Sequence, residues 1–158
     1  MMRALRRYYS RWFHIIVIAS STLLSLIIYF TFLQKLGFST LIYNFFGLLC
    51  AAVGVAVATL SMRVFTMLTY TTTERVNLLK RSKHYHLIET IYDYTLGLAF
   101  LMVYFSIYAS IILNSGIVGA TARQVVSTVL FACYGCLAGM VYLCVWIFRN
   151  VKVICSLP

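Results

Sequence analysis

Carboxylates are almost missing from this chain: among 158 residues only Glu74, Glu89 and Asp93 are acidic, against 13 Lys and Arg. Charged residues of both signs make up 10% of the sequence and hydrophobic residues 63%. Soluble globular domains are typically about 25% charged and about 45–50% apolar, so this balance excludes an ordinary soluble domain and indicates the membrane class. Proline is missing too, apart from the terminal Pro158, so no internal helix is kinked by a proline ring. No zinc-ligand spacing, P-loop, dinucleotide fingerprint or hydrolase motif is present, and no segment is repeated or of low complexity.

What fills the chain instead is four apolar runs, at about 12–33, 40–62, 87–113 and 124–148. Each reaches the roughly 20 residues that a helix needs to cross a bilayer. Barrel strands are about 10 residues long and alternate in polarity, which these runs do not, and an unpaired backbone in lipid leaves helices. The expected fold is therefore all-α: an integral membrane four-helix up-down bundle over residues 1–158, with no soluble domain.

Charge placement gives the orientation. Arg3, Arg6, Arg7 and Arg11 precede the first span, Arg63, Arg75, Lys80, Arg81 and Lys83 lie between the second and third, and Arg149 and Lys152 follow the fourth. Only Lys35 and Arg123 fall on the other side, which predicts both termini on the cytoplasmic side. The net charge of +10 is thus topological, with anionic lipid headgroups as its partners and no role in binding nucleic acid. The outer connections contain no cysteine and the chain no Asn-x-Ser/Thr sequence, which excludes a disulfide-braced or N-glycosylated ectodomain. The first span is too long for a signal-peptide core and has no A-x-A cleavage site, so it is expected to be retained. The expected address is an endomembrane or the plasma membrane; the acid-free, Arg-rich start keeps the mitochondrial inner membrane as the alternative.

The long inner connection, residues 63–86, is read as a short amphipathic helix, with Thr71 and Glu74 as a capping box. A helical extension of either neighbouring span is the competing reading. At the N-terminus, Arg3, Arg7 and Arg11 would share a stripe of an interfacial helix or belong to a basic tail anchored by Trp12.

Two of the three acids stand four residues apart where the third span begins. Glu89 and Asp93 share a helix face, and at the depth expected for Asp93 a charge should turn inward and find a partner. Arg63 and Arg149 close the second and fourth spans at matching depth, so an intramembrane ion pair that fixes helix register is the leading expectation. A proton or cation relay through Glu89 and Asp93 is the alternative.

Cys133 and Cys136 form a C-x-x-C in "FACYGC", a spacing found in redox centres. The motif resembles that in the fourth helix of vitamin K epoxide reductases, which would imply thiol redox chemistry. Those enzymes use a second cysteine pair on the outer side, and this chain has none there. Cysteine is also an ordinary small apolar residue of helix interiors, so no enzymatic activity and no cofactor is expected. His14, His84 and His86 are expected as interfacial side chains. Cys155, just past the last span and near Lys152, is a candidate for palmitoylation, whereas the terminal proline argues against prenylation.

Small residues recur at helical spacing: Gly47, Ala51, Gly54 and Ala58 in the second span, and Ala132, Gly135 and Gly139 in the fourth. They let helix backbones approach closely, within the chain or between chains. Across "HLIETIYDYTLGLAFLMVYFSIYAS" and "VYLCVWIFRNVK" the chain resembles the MARVEL-type tetraspans, the MAL and chemokine-like-factor relatives, in length, topology and an early acid in helix three. That resemblance implies a non-enzymatic role in trafficking or in organising and stabilising partner membrane proteins, with a protein partner or a homo-oligomer. An accessory subunit of a larger complex is the alternative.

Overall fold

The computed structural model describes residues 11–33, 40–114 and 119–156. Expectations for the N-terminal arginines Arg3, Arg6 and Arg7, for Lys35 and for most of the two outer connections fall outside the described residues.

Every described element is helical. Helix α1 (Arg11–Ile28) ends in one π-helical turn (Tyr29–Leu33), followed by α2 (Thr40–Tyr70), the short α3 (Glu74–Lys80), α4 (Lys83–Asn114) and α5 (Ala120–Ser156). Four of them are long and apolar enough to cross a membrane, the architecture of a multi-pass integral membrane protein. Hydroxyl side chains within the spans return to their own backbone, as in Thr22 to the Ile18 carbonyl and Thr95 to that of Ile91, so they cost little in an apolar setting.

The inner connection is shorter than the sequence suggested. Helix α2 runs on to Tyr70, and α4 already begins at Lys83. The backbone amide of Thr71 still bonds back to Met67, so Thr71 closes α2 and the capping box with Glu74 does not form. Three consecutive threonines, β-branched and stiff, then break the helix, and Thr73 occupies the N-cap of α3 without a side-chain bond. Val76 is fully buried and Leu79 partly so, which docks α3 against the ends of α4 and α5.

Two tight pairs organise the bundle. Helix α1 lies antiparallel on α5, where Ser21 donates a 2.6 Å hydrogen bond to the Gly135 carbonyl and Ser25 a 2.7 Å bond to that of Phe131. A Cβ on Gly135 would sit 2.6 Å from the Thr22 Cα, and one on Gly139 would meet the Ser21 hydroxyl and the Ile18 backbone. Helix α2 pairs with α4, where Gly47 faces Ser106 and Gly54 faces Ala99. Helix α5 also packs against α2 and α4, whereas among the described residues α1 and α2 hardly approach each other. Helices α1 and α2, although consecutive, are therefore not close neighbours here, because the small residues of α5 draw α1 onto that helix instead.

Replacing Gly135 by Ala places a methyl group against backbone, which cannot yield as a flexible side chain would. A loss of about 1–3 kcal/mol in thermal unfolding in detergent is expected. Gly97→Ala, with nothing within 4 Å of the new Cβ, is expected to be neutral or slightly stabilising.

Candidate functional site

Buried hydroxyls form a seam along the contact of α2, α4 and α5. Tyr43 and Ser127 share a 2.6 Å hydrogen bond, and Ser106 and Tyr134 one of 2.5 Å. Further inward, Tyr92 donates to the Cys144 carbonyl at 2.8 Å, and the Cys144 thiol reaches Thr95 at 3.4 Å. Each pair ties two helices together where an unpaired polar group would cost several kcal/mol. Aromatic rings fill the space above, with Phe46 stacked on Tyr134 at 4.9 Å and Tyr29 on Phe131 at 4.9 Å.

The most deeply buried side chains lie at the inner end. Val64, Leu68, Val76, Ile88, Ile147 and Val151, drawn from α2, α3, α4 and α5, are essentially inaccessible and form one cluster. Around it stand Arg63, Arg75, Lys80, Arg81, Lys83, Arg149 and Lys152, together with all three acids of the chain.

Contacts between helices fix which residues share a level. Phe13 of α1 lies 5.6 Å from Trp146 of α5, and the Ser106–Tyr134 and Thr95–Cys144 pairs place Tyr94 of α4 level with Trp146. Trp12, Tyr94 and Trp146, which include both tryptophans, therefore lie at one height. On the outer side of that height the exposed faces are apolar, with Phe45, Leu48 and Val55 on α2 and Phe100, Tyr104 and Tyr108 on α4. On the inner side charged residues enter the exposed surface: Arg63, Glu89, Asp93, Arg149 and Lys152 are exposed, beside Tyr70, Leu78 and Val153.

The structure does not join Asp93 to Arg63 or Arg149. The buried stripe of α4 runs through Ile88, Tyr92, Thr95, Ala99, Met102 and Ser106, and Glu89 and Asp93 each follow a stripe residue by one position. One position is about 100° of rotation, which turns both carboxylates outward. Among the described residues the carboxylate contact that is present is Glu89 to His86 Nδ1 at 3.6 Å, on an exposed face, an ion pair only when the imidazole is protonated. His14 is buried beside Phe13, while His84 and His86 are exposed.

Of the small residues, Gly47, Gly54, Gly135 and Gly139 are buried at helix contacts, Ala51 and Ala132 are half-buried, and Ala58 is exposed. Ala58 lies one turn beyond Gly54 but past the point where α2 leans on α4 through a small residue. All five cysteines are free; Cys133 and Cys136 are half-buried, and Cys155 packs partly against the inner cluster. Among the described residues no group of three His, Cys, Asp or Glu side chains is arranged to hold a metal ion. Sequence reasoning passed over Ser21 and Ser25, although small polar residues four apart carry the same signal as the glycines they meet.

Comparison with known protein families, curated proteins and solved structures finds no match to this chain.

Tyr134→Phe removes one hydroxyl from the seam and leaves Ser106 bonded to Met102, so a loss of about 0.6–1.7 kcal/mol in thermal unfolding is expected. Asp93→Asn, on an exposed face, is expected to shift stability by no more than about 0.5 kcal/mol. A large loss of stability in Asp93→Asn would restore the buried ion pair.

Proposed function

We propose that this protein is a non-enzymatic multi-pass membrane protein that organises or stabilises partner membrane proteins through helix–helix contacts. The observation that carries the reading is that the described seam hydroxyls and glycines are taken up in joining the helices. The seam hydroxyls bond one another or backbone carbonyls, and glycines bring the helices together. Recognition then belongs to the outside: the apolar faces of α2 and α4, and the polar inner end. The resemblance to MARVEL-type tetraspans points the same way. An accessory subunit of a larger membrane complex is the second reading, favoured by the exposed Gly97 on an otherwise bulky face of α4.

The same reading includes a placement in the bilayer. Tryptophan and tyrosine collect at membrane–water boundaries, and Trp12, Tyr94 and Trp146 mark one such level. Helix α1 supplies the ruler: its apolar segment, Trp12–Thr31, is 20 residues long, about 30 Å, the thickness of the hydrocarbon core. Helices α2, α4 and α5 then extend about 15 Å beyond the inner boundary and, with α3, form a head around the Val64–Val151 cluster. In water that cluster gains the hydrophobic stabilisation that lipid cannot provide. The spans alternate in direction, as the antiparallel α1–α5 and α2–α4 pairs support, and the basic head faces the cytoplasm with both termini. Glu89 and Asp93 are solvated residues of this head and not a relay.

Cysteine substitution tests the placement. Glu89→Cys and Asp93→Cys are expected to react with a membrane-impermeant maleimide from the inner side, whereas Phe100→Cys stays protected; protection of all three places the acids in lipid. For the function, purification in mild detergent with mass spectrometry is expected to recover a membrane protein in fixed stoichiometry. Recovery of the chain with lipid alone contradicts the organiser reading.

A further inference from the structure

We propose that the cleft between α1 and α2 is a binding site for an anionic phospholipid, with its phosphate held by Arg63, Arg149 and Lys152. The inference rests on the bilayer placement above and adds to it a defined ligand and a defined site.

The cleft follows from the way the helices pair. Helices α1 and α2 both lie on α5 and barely approach one another, so the strip of α5 between them stays uncovered. Phe131 marks that strip, because its ring meets Tyr29 of α1 on one side and Phe46 of α2 on the other. From Phe131 the same face of α5 passes inward through Ala138, Tyr142, Val145 and Arg149, at steps of seven, four, three and four residues. The aromatic stack closes the outer end. Below it Ala138, Tyr142 and Val145 are exposed even though α5 packs against three other helices. This floor is apolar and lies within the hydrocarbon layer, which suits an acyl chain.

At the inner mouth the chemistry changes. Arg149 ends the floor and Lys152 follows one turn inward, both exposed. The Tyr43–Ser127 and Phe46–Phe131 contacts show that α2 and α5 run parallel, and their offset brings Arg63 level with Arg149. Arg63 lies about two and a half turns beyond Gly54, the residue that faces α4, and so points away from α4. All three cations sit within about 10 Å inward of the Trp12–Trp146 level, the depth of lipid phosphates. Among the described residues no carboxylate pairs with these cations: Glu89 and Asp93 turn outward from α4, and Glu74 is exposed at the start of α3. An arginine fork offers paired donors to phosphate, and a basic cleft between spans on the cytoplasmic side selects anionic headgroups.

The test uses the full chain in nanodiscs of equal parts phosphatidylglycerol and phosphatidylcholine, followed by native mass spectrometry of the lipid retained on release. The wild type is expected to keep phosphatidylglycerol selectively. Arg63→Gln and Arg149→Gln should each lower that retention about fivefold. Ala138→Phe should lower it without any loss of charge, by filling the floor. Arg81→Gln and Lys83→Gln, which remove equal charge at the far end of the head, should leave it unchanged, and circular dichroism verifies the fold of each variant. Equal losses from the far-end variants would overturn the site in favour of diffuse attraction. An Ala138→Phe variant that keeps its lipid and instead changes the number of chains per particle would overturn it in favour of a second copy in the cleft. Release of the wild type from membranes by alkaline carbonate would refute the bilayer placement itself, a separate failure.

Discussion

The close approach of α1 to α5 at Gly135 and Gly139 is the contact on which the rest of the arrangement depends. No side chain fits between the backbones there, and Ser21 and Ser25 use the proximity to donate across it. In lipid the hydrophobic effect does not press helices together, so packing and such hydrogen bonds must supply the affinity. Because α1 is committed to α5, it is withdrawn from α2, and the cleft between the two is a direct consequence.

In the proposed placement the protein meets two different solvents along its length. Between the spans, glycine, alanine and paired hydroxyls bring the helices together beside large side chains such as Met102, Leu130, Phe131 and Leu137. At the inner end the core is built of valine, leucine and isoleucine wrapped by charged residues, the pattern of a small soluble domain. In the proposed placement Glu74 and Glu89 lie on the aqueous side of the height of Trp12, Tyr94 and Trp146, and Asp93 lies at it.

Much of this was legible in the sequence. Four apolar spans follow from run length, and the end of the bundle at which the cations gather follows from charge placement. The level at which residues meet was legible as well: Arg63, Asp93 and Arg149 do lie at similar depth, since rise per residue is fixed. What could not be read was the rotation of each helix about its axis. A soluble helix reveals its buried face by hydrophobic periodicity, but a span is apolar toward its neighbours and toward lipid alike, so the pattern that would set rotation is nearly erased. One position, about 100°, separates an inward Asp93 from the outward one observed.

The sequence by itself thus determined the all-helical class, the number of apolar spans and the end of the bundle at which the cations gather, because composition and length are properties of the chain alone. The tertiary structure decided which helices are neighbours, which way Glu89 and Asp93 turn, and how far the inner ends extend as a packed head. Those depend on where two small residues on one helix meet two on another, and a match between distant segments exists only once the chain has folded.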